Sequence, residues 1–180
     1  MMNILNKYFG SKKNLIQKKI FFKKLGKDIE IKKIFKSIAE FSNKSEIRYV
    51  GGCVRKILNN ETIDDIDLAT NIIPQQVSEA LKKKQINFYN TGLEHGTITA
   101  EINGENFEIT SLRNDISTDG RHAVVKFTDN WHEDASRRDF TFNAIYSDLH
   151  GNLYDPFNGK KDLELGNVKF IGSPEKRIKE

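Results

Sequence analysis

Apolar residues recur at Ile29, Ile31, Ile34, Phe35, Ile38, Ala39 and Phe41 with lysines between them, a spacing that predicts an amphipathic helix from Asp28 onward. Residues 42–45 break that pattern, 47–50 read as a strand entering the Gly51-Gly52 turn, and 53–58 continue as a short helix. Residues 65–70 predict a short strand. A helix over 74–84 opens on Pro74 and closes on Lys82, Lys83 and Lys84, and 86–89 predict another strand. Alternating apolar and polar positions over 95–102 and 107–112, on either side of Asn103-Gly104, form the pattern of a β-hairpin. Residues 113–121 hold Asn, Asp, Ser, Thr and Gly without periodicity, which predicts a mobile loop over whatever site the sheet presents. Residues 131–143 are helix-compatible, 145–154 predict a last hairpin through His150-Gly151-Asn152, and Asp155-Pro156 is expected to end the compact unit.

Composition narrows the classes. At 180 residues, 37% hydrophobic and 30% charged, the chain has room for one domain with a real core. No window reaches the roughly eighteen consecutive apolar residues of a membrane span. Cys53 is the only cysteine, which excludes an intrachain disulfide and a thiolate metal cluster and fits a reducing, cytoplasmic setting. The net charge of +4 is uneven: residues 1–27 carry eight lysines and no acidic residue, so the remainder is net negative. That basic extension suits RNA phosphates or an anionic membrane surface, or is an unstructured appendage; its Lys-dominated composition is unlike a secretory or organelle-targeting peptide. Neither repeats nor low-complexity linkers divide the rest.

Candidate chemistry centres on Asp65-Ile66-Asp67. Side chains of a strand alternate with a period of two, so both carboxylates fall on one face. Paired acidic oxygens suit a hard divalent cation such as magnesium, typically held by one or two carboxylates plus substrate phosphates. Upstream, Gly51 and Gly52 at a strand-to-helix junction let backbone approach a ligand closely, and a helix N-terminus favours anions. With Arg55 they are candidates to face a nucleotide triphosphate. Glu108 is a candidate third catalytic carboxylate beside Asp65 and Asp67 if its strand lies next to theirs; otherwise it is an ordinary solvent-facing residue. In 137–143 a helical path would set Asp139 and Asn143 on one face at i and i+4, placed to read a ribose or base edge. Arg138 offers a forked donor for phosphate. The plainer reading of that stretch is a surface salt bridge within an amphipathic helix, and Glu108 and Asp139 both stay open as the third acid.

Gly51-Gly52-Cys53-Val54-Arg55, then Asp65-Ile66-Asp67-Leu68-Ala69-Thr70, then Arg137-Arg138-Asp139-Phe140-Thr141-Phe142-Asn143-Ala144 resemble, in order and spacing, the catalytic head of the class II tRNA nucleotidyltransferase and poly(A) polymerase family. Thr91 to Thr97 and Phe107 to Arg113 are similar to the CCA-adding members in particular. The resemblance implies an α+β, polymerase-beta-like nucleotidyltransferase fold, a small mixed sheet backed by helices. It implies addition of CMP and AMP from CTP and ATP to a tRNA 3′ end with release of pyrophosphate. Asp65 and Asp67 would bind Mg2+. Gly51, Gly52, Arg55 and Arg138 would contact the incoming nucleotide, with Asp139 and Asn143 near its ribose. Residues 113–121 correspond to the family's flexible loop, implicated in switching from C to A addition.

Two local departures stand out: Lys56 where the family usually has Asp, and Asn59-Asn60 where it usually has Leu-Gly before the Asp pair. The expected organisation is a basic extension over 1–27, a head over 28–155 and the start of a neck over 156–180, without the neck's base-selecting Glu-Asp-x-x-Arg helix or the tRNA-holding body. A separate chain supplying those parts is one expectation. A poly(A) or A-adding polymerase head, and a non-catalytic nucleotide-binding remnant, are the competing functions.

Overall fold

The computed structural model describes residues 29–119 and 122–179; the basic extension over 1–27 lies outside them. Helix α1 (Ile29–Ala39) turns Ile31, Ile34, Phe35 and Ile38 inward. Strand β1 (Ile47–Val50) runs into α2 (Gly52–Asn59), and β2 (Asp67–Thr70) is followed by α3 (Pro74–Lys83). Then come β3 (Asn87–Gly92), a 3-10 turn (Leu93–His95), β4 (Thr97–Ile102) and β5 (Glu105–Ser111). A separate two-stranded hairpin, β6 (Arg113–Asp119) and β7 (His122–Phe127), precedes α4 (Trp131–Ser136) and a 3-10 turn (Thr141–Asn143). Strands β8 (Tyr146–Ser147) and β9 (Leu153–Tyr154) and helices α5 (Gly159–Leu165) and α6 (Pro174–Lys179) complete the order.

Seven strands form one mixed sheet in the order β3-β4-β5-β2-β1-β8-β9. Its one parallel pair is β2 with β5, at the middle; the others are antiparallel. This is the α+β sheet backed by helices that the motifs imply. Strand alternation sorts the faces: Tyr49, Leu68, Ile98 and Ile109 join residues of α1, α2 and α3 in the main core. On the opposite face Val50 and Ala69 pack with Trp131 and Ala135 of α4, Leu112, Ala144, Tyr146 and Ile171. That second cluster covers the β1–β8 side and leaves the polar face of β2, β5 and β4 accessible.

Four sequence expectations change. The strand carrying the Asp pair begins at Asp67, not Asp65: β1 ends at Val50 and Gly51 turns the chain away, so residues before Asp67 have no partner on the β1 edge. The stretch expected as a loop, 113–121, is largely strand: backbone pairing with 122–127 supplies a ladder that needs no apolar stripe. The helix expected over 131–143 stops at Ser136, and Phe140 forms a β-bridge to Phe170 while its ring stacks on Phe142 at 5.2 Å and meets Phe170 at a tilt, 4.7 Å between centroids. Finally, the packed body continues beyond Asp155-Pro156: Asp162 of α5 is buried and accepts from Thr141 Oγ1 at 2.9 Å, and Ile171 lies in the second core cluster. The Asn103-Gly104 turn forms as expected, both residues at positive φ, 54° and 83°.

Helix α5 docks through Gly159, where an added Cβ would lie 2.0 Å from the Thr141 carbonyl oxygen and 2.8 Å from the Phe142 nitrogen. Backbone cannot move aside as a flexible side chain can. Gly159→Ala is therefore expected to lower stability by about 3 kcal/mol, the upper range for overpacking, in urea unfolding monitored by Trp131 fluorescence; an unchanged midpoint would show that α5 docks differently.

Candidate active site

Parallel pairing of β2 and β5 sets Asp67 directly opposite Glu108. Leu68 and Ile109, the next pair, are completely buried on the other face. Glu108 in turn faces Thr99 of β4, so a polar row crosses three strands. Asp65, Asp67, Glu108, Thr91, Thr99 and Asn106 line one cavity of about 510 Å³. Thus Asp65, although it precedes the strand, reaches the same space as Asp67. Burial, reinforced by the Asp65 charge, raises the Asp67 carboxyl above its ordinary value, with Arg138 acting in the opposite direction.

Among the described residues, no three His, Cys, Asp or Glu side chains are gathered as a ready-made metal cluster. The donor set is nevertheless all oxygen, with two or three carboxylates along one wall. It fits a hard divalent cation that completes its shell with substrate phosphate and water rather than a fully protein-built cage.

The two glycines have different roles. Gly51 has φ 68° and ψ −129°, a conformation that side chains resist, and a Cβ there would sit 3.8 Å from Arg138 Nη1 and 3.9 Å from Asp67 Oδ2. Gly52 lies outside the positive-φ region with open space around it, so it needs no conformational freedom. Gly51 gives α2 no side-chain cap, which leaves its first-turn amides available to an anion. The departures from the family pattern are accommodated nearby. Asn60 caps α2 in the left-handed region at φ 61°, the place glycine commonly fills and asparagine tolerates. Lys56, which stands where an acid is usual, pairs with Asp64 at 2.5 Å and ties α2 to the segment carrying Asp65.

One helical turn beyond Gly51, Arg55 Nη1 donates to Asn143 Oδ1 at 2.6 Å, and Asn143 Nδ2 donates to Asp139 Oδ1 at 3.0 Å. The i, i+4 contact between Asp139 and Asn143 exists, but a bend and a 3-10 turn make it rather than a helix. Asp139 Oδ1 also accepts from the Phe140 amide at 2.7 Å. The Asp139 carboxylate is engaged there, and Glu108 is the acid aligned with Asp67.

Sequence reasoning missed the group that holds Arg138. Asp134, 1% exposed, accepts at Oδ1 from Arg137 Nε at 2.9 Å and the Arg113 amide at 3.2 Å, and at Oδ2 from Arg138 Nη2 at 3.2 Å and Tyr146 Oη at 2.7 Å. Burial alone would raise this carboxyl; Arg138 and Arg137, with the Tyr146 hydrogen bond, hold it below the usual range. Burial likewise pushes the Tyr146 phenol up. The signal in the sequence was the i, i+3 and i, i+4 spacing of Asp134 to Arg137 and Arg138, which equally describes a surface salt bridge. Only burial distinguishes the two.

Comparisons with known proteins show the family and the fold. The Poly A polymerase head domain family matches residues 47–169. The chain is 47% identical over 148 residues to the human "CCA tRNA nucleotidyltransferase 1, mitochondrial", covering 81% of this chain and 34% of that protein. To the Lactobacillus helveticus "CCA-adding enzyme" it is 40% identical over 137 residues, covering 75% and 33%. The solved Bacillus stearothermophilus CCA-adding enzyme in complex with CTP superposes with a TM-score of 0.70 at 30% identity, covering 81% of this chain and 33% of that one. A tRNA nucleotidyltransferase complexed with a primer tRNA and an incoming ATP analogue gives 0.59 at 25%, covering 75% and 38%. The chain thus spans about a third of the length of the curated relatives it matches. Since the family match runs from the first residue of β1 past α5, well over half of the sequence, the chain belongs to the poly(A) polymerase head-domain family, which includes the class II tRNA nucleotidyltransferases.

Proposed function

We propose that this chain is the catalytic head of a magnesium-dependent nucleotidyltransferase that adds CMP and AMP, from CTP and ATP, to the 3′ end of tRNA. The observation that carries the reading is the Asp67–Glu108 pair across β2 and β5, with Asp65 on the same cavity wall. In this reading Asp65 and Asp67 hold the metal and Glu108 is the third catalytic carboxylate. A divalent cation bound there supplies charge neutralisation and alignment of the phosphates. Gly51, Gly52, Arg55 and Arg138 bind the triphosphate, while Asp139 and Asn143 sit at the ribose. The acceptor 3′ hydroxyl attacks the α-phosphorus, forming the new P–O bond as the bond to pyrophosphate breaks. Such in-line displacement is mainly positioning and charge stabilisation, which a cluster of fixed carboxylates and arginines provides.

Names of the relatives support tRNA, CTP and ATP as partners. Base selection and tRNA holding would reside in the two thirds of the relatives' length that these residues do not match, carried by the same polypeptide or by a partner chain. Among the described residues no helix is long and apolar enough to cross a membrane. We assign a cytoplasmic location; the human relative is named as mitochondrial, so fractionation of expressing cells decides between the two compartments.

Incubated with tRNA lacking its CCA end and each labelled nucleotide, the 180-residue chain is expected to bind magnesium–nucleotide weakly and to transfer poorly or without selectivity. Robust ordered CCA addition would place base selection within these residues. Asp65→Ala and Asp67→Ala should each reduce whatever transfer is measured about a hundred-fold or more with an unchanged circular-dichroism spectrum; retained activity would remove them from the metal site.

Asp67 also makes a stability prediction. Because its carboxyl is raised in the folded chain, folding favours the protonated form, so its contribution grows as pH falls through the raised value and is a cost at neutral pH. Without metal, Asp67→Asn is therefore expected to raise the thermal midpoint at neutral pH, with the gain shrinking in acid. A lower midpoint would mean that the ionised carboxylate stabilises the apo fold.

A further inference from the structure

We propose that Asp134 and Tyr146 are positioning residues for the nucleotide site: they occupy two of the three guanidinium nitrogens of Arg138 and thereby present the third, Nη1, to the space between Gly51 and Asp67 where a phosphate oxygen binds. The proposal rests on the nucleotidyltransferase reading and adds to it the groups that aim its arginine. Arg138 Nε donates to Tyr146 Oη at 3.1 Å and Nη2 donates to Asp134 Oδ2 at 3.2 Å. The Tyr146 hydroxyl spends its single proton on Asp134 Oδ2 at 2.7 Å, which leaves its lone pair to receive Arg138. Asp134 Oδ2 thus accepts twice, from Tyr146 Oη and Arg138 Nη2, while Tyr146 Oη donates once and accepts once, and one arrangement satisfies all three bonds. Nη1 makes no hydrogen bond among the described residues and lies 3.8 Å from the position a Gly51 Cβ would take, with Asp67 Oδ2 3.9 Å from the same point.

The physical need for such a clamp is competition. An arginine beside a half-buried carboxylate tends to form a bidentate ion pair with it. If Arg138 closed onto Asp67, it would occupy the oxygens that a cation requires. Asp134 removes that option. It is more deeply buried than Asp67, and it is kept ionised by two further donors, Arg137 Nε and the Arg113 amide. Tyr146 adds direction: its ring packs edge-on against Trp131 at 5.3 Å, and Arg138 lies 5.4 Å over its face, so the hydroxyl cannot follow a moving arginine. Arg138 is held close enough to Asp67 to attract anionic phosphate, yet it forms no ion pair with it.

The test uses Tyr146→Phe, which keeps the ring and deletes the bridging hydroxyl, together with Asp134→Asn. In nitrogen-15 NMR of the wild-type chain, the Arg138 Nε–H is expected to exchange slowly with solvent, and in Tyr146→Phe rapidly. The Kd for magnesium–CTP and magnesium–ATP is expected to rise about ten-fold in Tyr146→Phe, the scale of one hydrogen bond to a charged group. Added guanidinium ion, below denaturing concentration, should restore binding to Arg138→Ala but not to Arg138→Ala/Tyr146→Phe, a rescue that a merely structural tyrosine would not control. Slow Arg138 exchange and a wild-type Kd in a folded Tyr146→Phe would overturn the proposal, even if Asp134→Asn does not fold. Loss of slow exchange in Tyr146→Phe, with no nucleotide binding by the wild-type chain, would sustain the clamp and sink the nucleotide reading instead.

Discussion

Parallel pairing of β2 with β5 is the constraint on which the site depends. Leu68 and Ile109 are opposite one another and fully buried, so Asp67 and Glu108, one position earlier, must emerge together on the other face. A slip of one residue in either strand would drive a carboxylate into the apolar core and expose a leucine or isoleucine. Burial of an unpaired charge costs far more than the ~2 kcal/mol lost by exposing one aliphatic side chain. Core packing and carboxylate placement are therefore one register decision. The helices α1 and α3 serve the site indirectly, by making the register unambiguous.

A second constraint acts through the buried carboxylate of Asp134. Asp134 gathers Arg137, Arg138, Tyr146 and the first amide of β6, and so links α4, β8 and the β6–β7 hairpin to one buried carboxylate. Buried ion pairs are weak evidence for stability in themselves, but removing one partner leaves an uncompensated charge that costs about 3–5 kcal/mol. Around Asp67 the balance is reversed: a half-buried carboxylate with another acid nearby has its ionised form disfavoured. One carboxylate is satisfied by protein donors, and the other has its protonated form favoured by burial.

Departures from the family pattern are absorbed locally. Asn60 takes the left-handed cap that a glycine would occupy, and Lys56 finds Asp64 within the same segment. Neither reaches the cavity wall formed by Asp67 and Glu108. This is consistent with a family match that runs unbroken from β1 past α5.

Much of the fold was legible because short-range physics decides it. Period-3.6 spacing marked α1 and α3, period-2 alternation with Asn-Gly marked the β4–β5 hairpin, and Gly51 marked the turn before α2. The motif residues were legible as residue types at characteristic spacings. Illegible were the features set by distant partners. Residues before Asp67 have no partner on the β1 edge because β1 ends at Val50, and residues 113–119 become a strand because 122–127 pair with them. The helix from Trp131 ends early because Phe140 finds Phe170, thirty residues further on. Spacing could not show which of Glu108 and Asp139 lies beside Asp67; strand order sets Glu108 opposite it, while Asp139 Oδ1 accepts from the Phe140 amide and Asn143 Nδ2. Asp134 went unnoticed, since spacing along a helix is the same whether its face meets water or a core. By itself the sequence determined which chemical groups are present and which local elements carry them. Burial and strand adjacency decided which groups meet, because both depend on residues far apart in the chain.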